Sequence, residues 1–477
     1  MLFNSAEFIF IFLPVTFFVY FLLNKLKLIK IATGWLVLAS LYFYSYWKLD
    51  YLPIILFSMI FNYAIGYTLS NEKKLKINRK LLMIFGIIGN ICLLGYYKYF
   101  DFIIQNINFI LHQNFNYMNI LLPLGISFFT FQQIAYIVDS YEGKTKEYDF
   151  LTYALFVTFF PQLIAGPIVH HKEMIPQFEN LRNRFINFKN ISKGILIFSI
   201  GLFKKVIIAD FMAKCAGIGF ATSEVLSFTE AWITILSSTF QIFFDFSGYT
   251  DMARGIGYMF NIELPQNFDN PYISKDIQEF WRRWHMTLSR FLRDYIYIPL
   301  GGNRNGNFKT YRNLFLTFLI GGIWHGANWT FVIWGVLHGI GTVINRIYKQ
   351  FKLDVPNPVI WFITFLYVNI TWVYFGSNHI SIANNILMKA FNPLLFDMPR
   401  IYFPTIRFKN SGNIMDFWVL ILIPILIFFI FNDTFRKLID NFKPKLKYSF
   451  FIAVIFLIVI LQIIKPDYTS PFIYFNF

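Results

Sequence analysis

Residues 313–344 read NLFLTFLIGGIWHGANWTFVIWGVLHGIGTVI. The apolar arms, 313–323 and 329–344, are each shorter than the roughly 20 residues that cross a bilayer. Lys309 and Arg312 precede the pair, and Arg346, Lys349 and Lys352 follow it. Short loops rich in Lys and Arg stay cytoplasmic, so both ends read as cytoplasmic. The simplest geometry is two short or tilted helices meeting at Gly321-Gly322-Ile323-Trp324-His325-Gly326. That reading puts His325 at the tip of a re-entrant pair, at membrane depth. An ionisable residue there is a functional hypothesis by default. Desolvation disfavours a charged imidazole, and a neutral imidazole is what a general base requires near neutral pH. The flanking glycines are expected to let a substrate chain approach closely. The alternative is a core histidine bonded to a carbonyl; the glycine-aromatic setting favours function over that. His338, 13 residues later, lies on another helical face and reads as core packing.

The rest of the chain has the same character. Of 477 residues, 56% are hydrophobic and 14% charged, against roughly 25% charged in soluble domains. Apolar runs recur at 7–23, 31–47, 51–70, 81–97, 120–138, 151–169, 191–209, 229–249, 357–376, 415–431 and 448–464. An all-α polytopic membrane protein follows, with about 11 transmembrane or re-entrant helices in a single domain over 1–477. The first run has no basic residue before it and no small-residue cleavage site after it, so it does not read as a cleaved signal. Lys25, Lys27 and Lys30, then Lys73 to Lys80, place those loops inside and the N-terminus outside. By the same rule the tail 465–477 is outside. The run 151–169 contains Pro161, Gly166 and Pro167 and is expected to enter and return rather than cross. The net charge of +16 suits anionic lipid heads better than nucleic acid. Cys92 and Cys215 lie among apolar residues, and no histidine or cysteine spacing suits a metal, so no metal is expected.

Residues 262–312 differ, with eight Lys/Arg and five Asp/Glu among Trp281, Trp284, Phe291, Tyr295 and Tyr297. Such a stretch reads as a cytosolic interfacial platform. A binding surface for a phosphate-bearing ligand is the sharper alternative, because Arg offers a planar fork. His285 lies inside it. Asp245 and Asp251, in QIFFDFSGYTDMARG, could orient a histidine or pair with Arg254; structural pairing is the better reading. His170 and His171 read as a helix start.

These residues together resemble a known family. Leu122–Gln132 (LPLGISFFTFQ), Phe160–His171 (FPQLIAGPIVHH), Asp245–Gly255, Asn267–Arg304 with WRRWHMTLSRFLRDYIYIPLGGNR, and Gly322–Gly335 (GIWHGANWTFVIWG) stand in the order found in membrane-bound O-acyltransferases. The resemblance is to the branch that exports acyl groups onto extracytoplasmic polymers, and it covers nearly the whole chain. It implies that His325 is similar to the family's catalytic histidine and His285 to the second histidine of this branch. It implies a central funnel open to both faces and an acyl-CoA donor, with nothing else bound as a cofactor. Arg254 stands where the family pattern leads one to expect an apolar residue. The tail ends SPFIYFNF, which reads as an aromatic interface anchor. The resemblance adds a second reading, in which Tyr474 briefly carries the acyl group outward. Arg282, Arg283, Trp324 and Asn328 are the expected donor-binding residues, with Asp245 and Asp251 supporting.

The expectation is therefore a bacterial inner-membrane O-acetyltransferase. It would take acetyl from cytosolic acetyl-CoA toward a periplasmic polysaccharide, peptidoglycan first and an alginate-like polymer second, with a periplasmic esterase-like partner. The rivals are a transporter or flippase without covalent chemistry, and a lipid acyltransferase.

Overall fold

The computed structural model describes residues 1–71, 78–145, 148–395, 439, 442–465 and 472. Helices follow one another with no strand among the described residues. They are α1 Leu13–Lys25, α2 Ile29–Ser45, α3 Tyr51–Ser70, α4 Arg79–Leu94, α5 Phe100–Leu111, α6 Ile126–Tyr141, α7 Phe150–Thr158, α8 Phe160–Leu163 and α9 His171–Glu179. Then come α10 Phe188–Phe203, α11 Asp210–Ala221, α12 Phe228–Met259, α13 Ile277–Arg283, α14 Met286–Leu292, α15 Gly306–His325, α16 Trp329–Tyr348, α17 Asn357–Gly376, α18 Ile380–Ala390 and α19 Leu446–Ile463. Among the described residues, five helical stretches are long and apolar enough to cross a membrane: Phe8–Lys25, Tyr51–Ser70, Arg79–Leu111, Trp329–Tyr348 and Asn357–Gly376. The expected run 415–431 and the tail residue Tyr474 lie outside the described residues.

The helices group into two compact units, 1–201 with 249–266 and 444–455, and 202–248 with 267–443 and 456–477. In the first unit, α1 packs on α2, and α6 packs on α3 and α4. Asn62 and Asn90 exchange amide hydrogen bonds between α3 and α4, at 3.1 and 2.6 Å. Two buried amides can satisfy each other this way where no water competes. Gly194 and Gly255 bring α10 and the end of α12 backbone to backbone; a Cβ on Gly194 would lie 2.5 Å from the Gly255 carbonyl oxygen.

The run 151–169 is broken, as its prolines and glycine lead one to expect. α7 has nine residues, too few to cross, and Asp149 caps its start. Phe159 then leaves the helical region, at ψ 107°, and Pro161 sits in the first turn of α8. Broken backbone at depth must find partners inside the protein. Here Gln132 and Gln162 both donate their side-chain amides to the Phe156 carbonyl, at 2.8 and 2.6 Å. His170 and His171 start α9, as expected. His171 Nε2 lies 3.1 Å from Asp139, and its Nδ1 lies 2.9 Å from the Tyr148 hydroxyl.

In the second unit, α15 and α16 form the most intimate helix pair, and α17 lies against α16. Each member of the pair has 20 residues, about 30 Å of helix. The arms therefore run longer than their apolar cores, because the polar residues 306–312 and 345–348 continue the helices. The glycines do not hold a gap open for substrate as the sequence suggests. A Cβ on Gly322 would meet the Phe331 carbonyl oxygen at 2.6 Å and the Gly335 Cα at 2.7 Å, and one on Gly326 would meet the Phe331 ring at 2.1 Å. Gly322 lets two helix backbones touch, which is how small residues act between membrane helices, and Gly326 makes room for the Phe331 ring. Gly322→Ala is expected to destabilise by about 1–3 kcal/mol through overpacking. Gly321→Ala meets only the Leu292 side chain, at 3.3 Å, and should be nearly neutral. Thermal unfolding of the two variants in detergent checks the contrast; equal melting temperatures would refute it.

Candidate active site

His325 is the last residue of α15, and Gly326 turns the chain into extended backbone. The ring is 3% exposed. Trp324 packs beside it with centroids 4.9 Å apart, Trp334 of α16 stands edge-on at 4.9 Å, and Phe375 of α17 edge-on at 5.2 Å. Three helices thus converge on one imidazole: the pair expected from the quoted stretch, and α17, which that stretch does not contain. Asn328 has a different task from the one expected. Its side chain caps α16 by accepting from the Thr330 amide, and it donates to the Asn378 carbonyl at 2.8 Å. Both ends of the amide thus have partners within the protein.

His285 is completely buried between α13 and α14. Its backbone is left-handed, φ 39° and ψ 56°, and its Nδ1 accepts from the Leu288 amide at 3.4 Å, so it caps α14. Burial pushes the imidazole pKa down to about 3. Phe246 stands edge-on at 4.7 Å. The neighbouring Trp284 contacts Trp372 at 4.7 Å, and Trp372 stacks on Trp334 at 5.9 Å. Two indole layers therefore link the segment of His285 to the ring wall of His325.

The aromatic face of the 262–312 stretch turns into the protein. Trp281 and Trp284 are buried, and Trp281 donates to His338 Nδ1 at 3.2 Å. Asp276 caps α13 and pairs with Lys349 at 2.9 Å beyond the end of α16. Burial alone would raise this carboxyl's pKa. The Lys349 ammonium and the Glu279 and Gln278 amides outweigh that and hold it below the usual range. Of the two arginines expected to bind donor, Arg282 is exposed. Arg283 is engaged by Glu279 at 2.9 Å and Asp269 at 3.5 Å.

Comparison with known proteins places the chain among its relatives. The model of the membrane-bound O-acyltransferase family matches residues 42–381. The chain belongs to the membrane-bound O-acyltransferase family. It is 49% identical to the peptidoglycan O-acetyltransferase of Helicobacter pylori over 81% of this chain and 79% of the relative. It is 42% identical to a probable alginate O-acetylase of Pseudomonas aeruginosa over 80% and 73%. A teichoic acid D-alanyltransferase of Streptococcus thermophilus is 30% identical over 48% of this chain and 58% of the relative. The chain is thus a multi-pass membrane O-acyltransferase, which sets aside the reading without covalent chemistry.

Within this acyltransferase the two acidic candidates part company. Asp245 does not meet Arg254. It pairs with Lys205 at 2.6 Å, and Asp210 pairs with the same ammonium at 2.8 Å. All three residues are buried. Asp251 lies 3.8 Å from Arg254, one turn along α12, so the unexpected arginine has a local carboxylate. Sequence reasoning missed Lys205, whose signal is a lysine inside an apolar run. It also missed Trp334 and Trp372. For Trp334 the signal was its place four residues from both Thr330 and His338, on one face of α16.

Of the tail, Phe472 is described, and it belongs to the second unit. Phe472 is fully buried, with its ring 6.3 Å from Phe246, the ring that covers His285.

Proposed function

We propose that this O-acyltransferase takes acetyl from cytosolic acetyl-CoA and passes it across the inner membrane for O-acetylation of a periplasmic polysaccharide, peptidoglycan first. The observation that supports it best is the setting of His325, one imidazole at the end of a helix inside an aromatic wall. As general base it removes the proton of an attacking hydroxyl. The carbonyl end of α15 attracts positive charge, which suits the site to that moment. The 49% identity to a peptidoglycan O-acetyltransferase supports the acceptor; the alginate O-acetylase relatives make an alginate-like polymer the second choice. His285, neutral and buried, positions rather than titrates. Donor binding falls to Trp324 and to Arg282, the arginine not engaged by Glu279 and Asp269.

We assign the first acceptor hydroxyl to Tyr474. It stands two residues beyond Phe472, about 7 Å of chain at most, and Phe472 packs against the ring covering His285. The tyrosine oxygen attacks the thioester carbonyl and its proton passes to His325. CoA leaves as the thiol, and an acyl-tyrosine ester forms for a periplasmic esterase-like transferase. Splitting one transfer into two is ordinary covalent catalysis. Incubation with radiolabelled acetyl-CoA should place an alkali-labile label on the protein. Tyr474→Phe should remove that label and lower polymer acetylation in cells by at least about tenfold. Unchanged polymer acetylation would take Tyr474 out of the mechanism. Label from palmitoyl-CoA in place of acetyl-CoA would favour a lipid acyltransferase.

A further inference from the structure

The aromatic wall beside His325 contains an uneven supply of hydrogen-bond partners. Four other indoles find acceptors: Trp35 donates to the Thr16 carbonyl, Trp232 to Ala390, Trp361 to Tyr272, and Trp281 to His338. Trp334 Nε1 and Trp372 Nε1 are buried and have no partner among the described residues. His338 Nε2, in ring contact with both, is another such atom. Its state follows from geometry: Trp281 donates to Nδ1, so Nδ1 is the acceptor and Nε2 carries the hydrogen in the neutral ring. Three N–H donors are therefore buried in one contact group. Trp334 lies 4.6 Å from His338 and 5.9 Å from Trp372, and His338 lies 6.3 Å from Trp372, all between centroids. Trp334 also touches His325, at 4.9 Å.

A buried donor without an acceptor is costly, and native proteins rarely keep one without a use. The three form one contact group that reaches the proposed base through Trp334. The wall around them is aromatic, with Phe280, Phe318, Tyr367 and Phe375 as ring neighbours. Neutral donors in such a wall suit a carbonyl oxygen that gains charge only transiently, better than a phosphate that is always charged.

We infer that Trp334, Trp372 and His338 form the site that holds the thioester carbonyl oxygen and stabilises the oxyanion formed when that carbonyl is attacked. This rests on the acyl-transfer reading above. A hydroxyl oxygen bonds to the carbonyl carbon while its proton goes to His325. The C=O electron pair moves onto oxygen, which accepts the three N–H bonds. The pair returns, the C–S bond breaks, and the thiolate takes the proton from His325. His338 thereby passes from packing residue to catalytic residue, held in the required tautomer by Trp281.

Benzothienylalanine replaces the indole N–H by sulfur with almost no change of shape. Introduced at Trp334 or at Trp372 in the full-length protein, it should lower kcat for acetyl transfer from acetyl-CoA by about 10²-fold. KM should stay within about twofold, because the donors act on the transition state. Retention of kcat within about threefold in both variants would overturn the inference. A second measurement uses the unmodified protein. With ¹⁵N-labelled tryptophan, the Trp334 and Trp372 indole resonances should move when acetonyl-CoA, a ketone that keeps the carbonyl, is added; unmoved resonances overturn the inference even if a variant fails to fold. His325→Ala separates the two claims. A dead His325→Ala beside fully active isosteres sinks only the oxyanion site, whereas an active His325→Ala sinks the reading beneath it.

Discussion

On the proposed reading, His325→Ala is expected to stop acyl transfer from acetyl-CoA, with a rate loss of about 10²–10⁴-fold, the range that a positioned general base supplies. The reason is local. Among the described residues, the rings of Trp324, Trp334 and Phe375 pack on His325, and none of these can accept a proton. Truncating the ring removes the proton acceptor and leaves its wall standing, so the protein should remain folded. Radiolabel transfer and free-thiol release, measured together on purified protein, read the effect. A rate within about threefold of the parent, on protein that melts normally, would move the base to another residue.

Lys205→Met is expected to be the most destabilising single change in the second unit. The Lys205 ammonium is shared by Asp245 at 2.6 Å and Asp210 at 2.8 Å, and Asp245 is 2% exposed. Removing one partner of a buried ionic group strands the others and costs about 3–5 kcal/mol. Charge removal on both sides should cost less. The double variant with Lys205→Met and Asp245→Asn is therefore expected to recover part of the lost melting temperature, and a strictly additive double variant would show that the ion cluster does not hold this region together. The test also distinguishes this cluster from a catalytic one. Activity per folded molecule should change little in the double variant, because neither Lys205 nor Asp245 has a place in the proposed transfer.

Much of the architecture was legible in the residues because a bilayer admits few solutions. The runs 51–70 and 357–376 match α3 and α17 in their bounds, since their ends are set by polar residues and turns. The break in 151–169 was legible from Pro161 and Gly166, and the seat of His325 from the glycine-aromatic junction between two apolar arms. What stayed hidden were relations across long separations. Lys205 and Asp245 lie forty positions apart, and no local pattern joins them. The glycines of the α15–α16 pair were read as openings; only the facing backbone of Phe331 and Gly335 shows that they are contacts. Asn328 looked like a ligand because its neighbours do, yet its place just before α16 makes it a cap. The unpartnered indoles of Trp334 and Trp372 were invisible for another reason. An unmet hydrogen bond is a property of three-dimensional surroundings, and a tryptophan carries no sign of it in one dimension.

The left-handed backbone at His285 affects how any mutational scan of this protein must be interpreted. A bulky or β-branched replacement there loses two things together, the imidazole and a comfortable turn, and the second alone costs about 1–2 kcal/mol. Asparagine tolerates that conformation, so His285→Asn reports on the side chain, whereas His285→Val mixes chemistry with strain. Deep mutational data would flag position 285 as intolerant either way, and only the pattern among the substituents tells a working histidine from a hinge that happens to be one.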